Sequence, residues 1–136
     1  MNILVAEDSV AYTVLYQQIF ESRGHSVKIT LDGDECLSAY RAQTASPGSK
    51  PYDFVLLDYS MPKKTGLEAA KEILEKNPNQ KILFITGYGE EVETKVEGLG
   101  KGKNISVLEK PFNSSKIIDI IENYLKEELA NKVLQR

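Results

Sequence analysis

Four apolar runs in this chain are each followed by polar residues. Ile3-Leu4-Val5-Ala6 leads into Glu7-Asp8, Phe54-Val55-Leu56-Leu57 into Asp58, Ile82-Leu83-Phe84-Ile85 into Thr86, and Ile105-Ser106-Val107-Leu108 toward Lys110-Pro111. Runs without alternation do not suit strands with one wet face. They suit strands buried on both sides, as in a parallel sheet covered by helices. The stretches between them carry helical periodicity. The pattern predicts strands over 2–6, 26–30, 53–57, 81–85 and 104–108, and helices over 9–23, 33–44, 64–76, 90–99 and 114–130. Five β-α units joined by right-handed crossovers give an α/β fold, a doubly wound five-stranded parallel sheet with helices on both faces.

Such a sheet binds ligands in the crevice beyond the carboxyl ends of its strands, where the polar residues gather. Glu7, Asp8 and Asp58 would bring three carboxylates together. Carboxylates so close cannot all stay ionised without a cation, and a hard, oxygen-loving ion such as Mg²⁺ suits them. Asp58, on a rigid strand end before the turn Ser60-Met61-Pro62-Lys63-Lys64-Thr65-Gly66, could be a metal ligand, a nucleophile or both. Lys110, restricted by Pro111 to an extended backbone, and Thr86 on a neighbouring strand end suit the equatorial oxygens of a transferring phosphoryl group. Helix capping is the structural alternative for Asp58 and for Thr86 taken singly; three acids in one crevice serve no such purpose.

At 136 residues and 41% hydrophobic composition the chain is the size of one compact domain with its own core. A net charge of -3 argues against nucleic acid as the main ligand, since phosphate neutralisation needs a basic surface. The single cysteine, Cys36, allows no internal disulfide and sits in an apolar-periodic stretch that predicts a packed helix residue. No apolar stretch is long enough to span a bilayer, and the chain runs directly into its first strand, so a cytoplasmic location is expected. In the first helix, Ser9 is the expected cap, Val10, Val14, Leu15 and Ile19 the apolar face and Gly24 the stop. In the last, Ser114 or Asn113 caps, Ile117, Ile118, Ile121, Tyr124 and Leu125 form the stripe, and Glu122-Lys126 and Glu128-Lys132 pair across a turn. The glycines of Gly98-Asn104 follow a helix and precede a strand, the reverse of a phosphate loop, and predict a solvated turn.

Leu4-Val5-Ala6-Glu7-Asp8-Ser9, Val55-Leu56-Leu57-Asp58-Tyr59-Ser60-Met61-Pro62 with Gly66, Phe84-Ile85-Thr86-Gly87 and Leu108-Glu109-Lys110-Pro111-Phe112 together resemble a single-domain, chemotaxis-regulator-like receiver of a two-component response regulator. The resemblance covers essentially the whole chain. It implies a flavodoxin-like receiver over 1–130 with a helical tail over 131–136. It implies that Asp58 accepts a phosphoryl group from the phosphohistidine of a sensor histidine kinase or from a phosphotransfer protein. Mg²⁺ would be bound by Asp8, Asp58 and the Ser60 backbone carbonyl, with Glu7 helping through water. Lys110 and Thr86 would hold the phosphoryl oxygens. Such a protein is a signalling switch, not a conventional enzyme, although it assists its own phosphotransfer and slow dephosphorylation. Its expected output is a protein met through helix four, strand five and the last helix. No nucleic acid or membrane partner is expected, and the chain is expected to be a monomer or a weak phosphorylation-dependent dimer.

Two positions depart from the family pattern. Val107 stands where receivers usually carry an aromatic residue that turns inward with the threonine, and Gly87 follows Thr86 where a small residue such as alanine is favoured. Tyr88, between Gly87 and Gly89, is the candidate substitute for the missing ring, with a static surface tyrosine as the alternative reading. Other functions fit less well. A haloacid-dehalogenase-type phosphohydrolase needs a second acid where Ser60 stands, and the acids Glu7-Asp8 would repel the phosphate of a flavodoxin-type cofactor. A degenerate, constitutive scaffold is opposed by the intact acid, threonine and lysine positions.

Overall fold

A computed structural model describes residues 1–49, 51–99 and 104–134. Five strands, β1 (Asn2–Ala6), β2 (Ser26–Thr30), β3 (Phe54–Asp58), β4 (Ile82–Thr86) and β5 (Ile105–Glu109), alternate with helices α1 (Val10–Ser22), α2 (Gly33–Thr44), α3 (Gly66–Lys76), α4 (Gly89–Val96) and α5 (Ser114–Leu134). All pairings are parallel, in the order β2-β1-β3-β4-β5. The expected doubly wound sheet is the observed one.

Alternate residues of the apolar runs serve opposite faces. Leu4, Ala6, Val55, Leu57, Ile82 and Phe84 pack with Cys36 and Tyr40 of α2, Ile73 of α3 and Val92 of α4. Ile3, Val5, Phe54, Leu56, Leu83 and Ile85 pack with Tyr16 and Phe20 of α1 and Ile117 and Ile121 of α5. Burying both faces of β1, β3 and β4 is what removes any polar alternation from their sequences. Cys36 is fully buried, and desolvation pushes its thiol up to about 12, as suits a packed residue.

Several local expectations need correction. β3, β4 and β5 each lie one residue later than expected, because the ladder carries on to pair Asp58 with Ile85 and Thr86 with Glu109. In α1, Ser9 does cap, accepting from the Tyr12 amide, and Gly24 takes the left-handed backbone just beyond the helix. Its buried face, however, is Thr13, Tyr16, Ile19 and Phe20, while Val10 and Val14 are exposed. Two aromatic rings remove more apolar area from water than two valines, and they set the helix rotation.

In α5 the cap is Asn113, whose side chain accepts from the Lys116 amide at 3.0 Å. The expected charge pairs are not the ones formed. Glu122 pairs with Arg23 at the end of α1, and Glu128 accepts from the Tyr124 hydroxyl at 3.0 Å. The helix also runs on to Leu134, since no glycine or proline interrupts it. Most of the expected turn over Gly98-Asn104 lies outside the described residues.

Candidate functional site

The sheet winds to opposite sides of β1, through β2 on one side and β3 on the other, so the topological switch point lies between β1 and β3. Glu7 and Asp8 leave the end of β1 and Asp58 closes β3 at that point. Ligand oxygens of Glu7, Asp8 and Asp58 lie within 4.8 Å of one another. Asp8 is exposed, whereas Glu7 is only 1% exposed.

Lys110 crosses to the acids from the end of β5. Its Nζ donates to Glu7 Oε1 at 2.7 Å and stands 3.8 Å from Asp58 Oδ2. The other Glu7 oxygen accepts from the Ser9 amide at 3.1 Å, and the Ser60 amide is 3.4 Å from Asp58 Oδ1. Burial first, and then the Glu7 carboxylate beside it, push Asp58 up to about 7, while Lys110 and the Ser60 amide pull it down. One ammonium among three carboxylates leaves an excess of negative charge, so the donor set fits a hard divalent cation.

Gly66 lets the turn after β3 close. A Cβ there would stand 2.5 Å from the Asp58 carbonyl oxygen, and the Gly66 amide donates to the Tyr59 carbonyl at 3.0 Å. The first turn of α3 therefore backs directly onto the Asp58 peptide. Thr65 then caps α3 through a reciprocal pair with Glu68, which fixes where the turn ends.

Thr86 is buried at the end of β4, and its carbonyl accepts the Lys110 amide at 2.7 Å. Its hydroxyl accepts from the Tyr88 amide at 3.1 Å. The peptide bond between Lys110 and Pro111 is cis. Tyr88 is 69% exposed and forms the N-terminal boundary of α4 without a side-chain cap. Instead Glu109 Oε1 accepts from the Gly89 amide at 2.8 Å, and a Cβ on Gly89 would meet that carboxylate at 3.1 Å. Val107 is partly buried against the core.

All six expected residues, Glu7, Asp8, Asp58, Thr86 and Lys110 by their side chains and Ser60 by its backbone, thus stand on the carboxyl-end rim of the sheet. Two residues at this rim were not anticipated. The Tyr12 ring centroid lies 4.1 Å from Lys110 Nζ, and Glu109 ties β5 to α4. Glu109 could have been suspected from its place on a strand that ends beside Thr86. Tyr12 could not, since its value depends on how α1 is rotated.

The family described as Response regulator receiver domain matches residues 3–122. The chain is 35% identical to the chemotaxis protein CheY of Treponema pallidum over 126 residues, covering 92% of this chain and 83% of that one. It is 30% identical to the transcriptional regulatory protein DltR of Streptococcus agalactiae over 118 residues, 87% of this chain but only 49% of that protein. In fold it is similar to a CheY-like receiver domain protein from Methanospirillum hungatei, with a TM-score of 0.79 at 23% identity over 96% of this chain and 97% of that one. NtrX of Brucella abortus gives a TM-score of 0.80 at 25% identity, over 98% of this chain and 29% of NtrX. Among the described residues no helix is long and apolar enough to cross a membrane.

Proposed function

The chain belongs to the response regulator receiver domains of two-component systems, and on that premise we propose that Asp58 is its phosphoryl acceptor in a Mg²⁺-dependent transfer from the phosphohistidine of a sensor kinase or phosphotransfer protein. The observation that carries this reading is the placement of Asp58 at the switch point, beside buried Glu7 and 3.8 Å from the Lys110 ammonium. A cation held by Asp8, Asp58 and the Ser60 carbonyl, with Glu7 acting through water, would neutralise the acceptor carboxylate and the incoming phosphoryl oxygens.

The chain's own residues do the rest. An Asp58 oxygen forms the new bond to phosphorus as the phosphorus–nitrogen bond of the donor histidine breaks, and the imidazole leaves. Lys110, once Glu7 is drawn toward the cation, pairs with a phosphoryl oxygen, and the Thr86 hydroxyl donates to another. The acyl phosphate formed is open to water, so the switch resets itself. A groove of about 380 Å³ lined by Val107, Glu109, Pro111, Phe112, Asn113 and Lys116 lies beside this rim. It supports output to a protein partner along β5 and the start of α5, and the proposed surface takes in α4 beside them, with residues 131–134 as a helical tail.

Incubation with phosphoramidate or acetyl phosphate and Mg²⁺ should add one phosphoryl group, detected by intact mass, and Asp58→Asn should abolish it. Equal labelling of the Asn variant, or labelling of the wild type without any divalent ion, would overturn the assignment.

A further inference from the structure

The Lys110 ammonium is in contact with three groups at once: Glu7 Oε1 at 2.7 Å, Asp58 Oδ2 at 3.8 Å and the face of Tyr12 at 4.1 Å from the ring centroid. The first two are carboxylates whose charge is redistributed when a cation or a phosphoryl group arrives. The third is neutral. A π face attracts an ammonium through its quadrupole, and the attraction grows where water is excluded, as it largely is around Lys110, whose side chain is 18% exposed.

The ring is itself held in place. Tyr12 lies in the first turn of α1, with ring centroids 5.9 Å from Tyr16 and 6.0 Å from Phe112, and Tyr16 and Phe112 stack at 6.2 Å. Phe112 follows Lys110 by two residues, so one aromatic cluster braces both α1 and the chain segment that carries the lysine. Tyr16 is 1% exposed and its hydroxyl has no hydrogen-bond partner among the described residues, which marks the cluster as packed chiefly through its rings.

We propose that Tyr12 is a positioning residue for phosphoryl acceptance, a neutral aromatic seat that keeps the Lys110 ammonium aimed at Asp58 when Glu7 is drawn toward a cation. This rests on the reading of Asp58 as the acceptor. In the resting arrangement the ammonium on the ring is already next to Asp58, so the same seat faces the place where phosphoryl oxygens arrive. The hydroxyl of Tyr12 is not needed; the π face is.

The test uses the full chain with Mg²⁺ alone and with beryllofluoride plus saturating Mg²⁺ as the phosphoryl probe. Tyr12→Leu, which keeps the apolar volume but not the π face, should bind beryllofluoride about five- to tenfold more weakly, with Mg²⁺ affinity changed less than about twofold. Tyr12→Phe should bind both within about twofold of the wild type. Lysine-selective NMR of the metal-free wild type should show the Lys110 ε-protons shifted upfield by the ring current, a shift kept in Tyr12→Phe and lost in Tyr12→Leu. This readout needs no variant to fold in order to be decisive. Unshifted Lys110 protons in the wild type, or beryllofluoride binding by Tyr12→Leu as tight as the wild type's or tighter, would overturn the seat. An equal loss of Mg²⁺ affinity would also overturn it, by showing a general collapse. A wild type that binds no beryllofluoride would instead sink the acceptor reading, while the ring-current shift still decides the resting contact.

Discussion

At the β1–β3 end of the rim Asp8 is exposed, but the other polar groups are largely buried and held by charge: Glu7 is almost wholly enclosed and shares the Lys110 ammonium with Asp58. At the β4–α4 end they are held by single backbone amides, Tyr88 to the Thr86 hydroxyl and Gly89 to Glu109. The first end resists change, because removing one partner strands a buried charge at a cost of several kcal/mol. The second gives way at about the worth of one hydrogen bond or cap, near 1 kcal/mol. The proposed function would use both. The reacting groups must be fixed before the reaction, and the surface that reports it must shift afterwards.

The contrast is tested most severely by Lys110→Ala. Without its ammonium, buried Glu7 and Asp58 face each other unneutralised, and the variant should lose about 3 kcal/mol at pH 8 without divalent ions, part of which Mg²⁺ restores. Urea unfolding with and without Mg²⁺ measures this. A loss within about 0.5 kcal/mol would mean that the acid end is no stiffer than the α4 end.

A comparable but pH-dependent effect belongs to Asp58. Its folded value of about 7 lies above the ordinary 3.8. The stability it contributes is therefore fully present below 3.8 and is lost as pH rises through 7. In metal-free buffer, Asp58→Asn should lack that decline. Its unfolding free energy should rise relative to the wild type's from pH 4 upward and level off above about pH 8, by at most a few kcal/mol. A constant difference across that range would remove the crowding of the acids from the account.

The smallest effect is expected at the other end. Glu109→Gln weakens the tie to the Gly89 amide without touching the acids. It should cost about 1 kcal/mol or less and speed hydrogen exchange at Gly89 and Tyr88, while the pH dependence of stability attributed to Asp58 stays unchanged. A shift in that pH dependence would show that the two ends are coupled already in the resting protein. Tyr88, exposed on this loop, gives a second reading of its motion through side-chain exchange when beryllofluoride is added.

Much of the fold could be read from the chain because β1, β3 and β4 are buried on both faces, and double burial writes itself into sequence as an uninterrupted apolar run. The positions of Glu7, Asp8, Asp58 and Thr86 follow from the same runs, since a strand that stays dry must turn polar where it emerges. The single-residue offset of β3, β4 and β5 was not legible, because the end of a ladder depends on the neighbouring strand's length and not on the residue itself. Nor was the face of α1, where Val10 and Val14 have the right spacing but Tyr16 and Phe20 bring the larger buried area.

The sequence by itself determined the order of elements, the two-faced core and which polar residues reach the rim, because hydrophobic periodicity and the strand-to-loop boundary are local properties of the chain. Tertiary structure alone decided that Arg23 takes Glu122 from its expected helical partner, that Glu109 holds the start of α4, and that Tyr12 lies against Lys110. Those contacts join residues far apart in sequence. Helix rotation and strand register set their geometry, and both are chosen by packing over the whole domain.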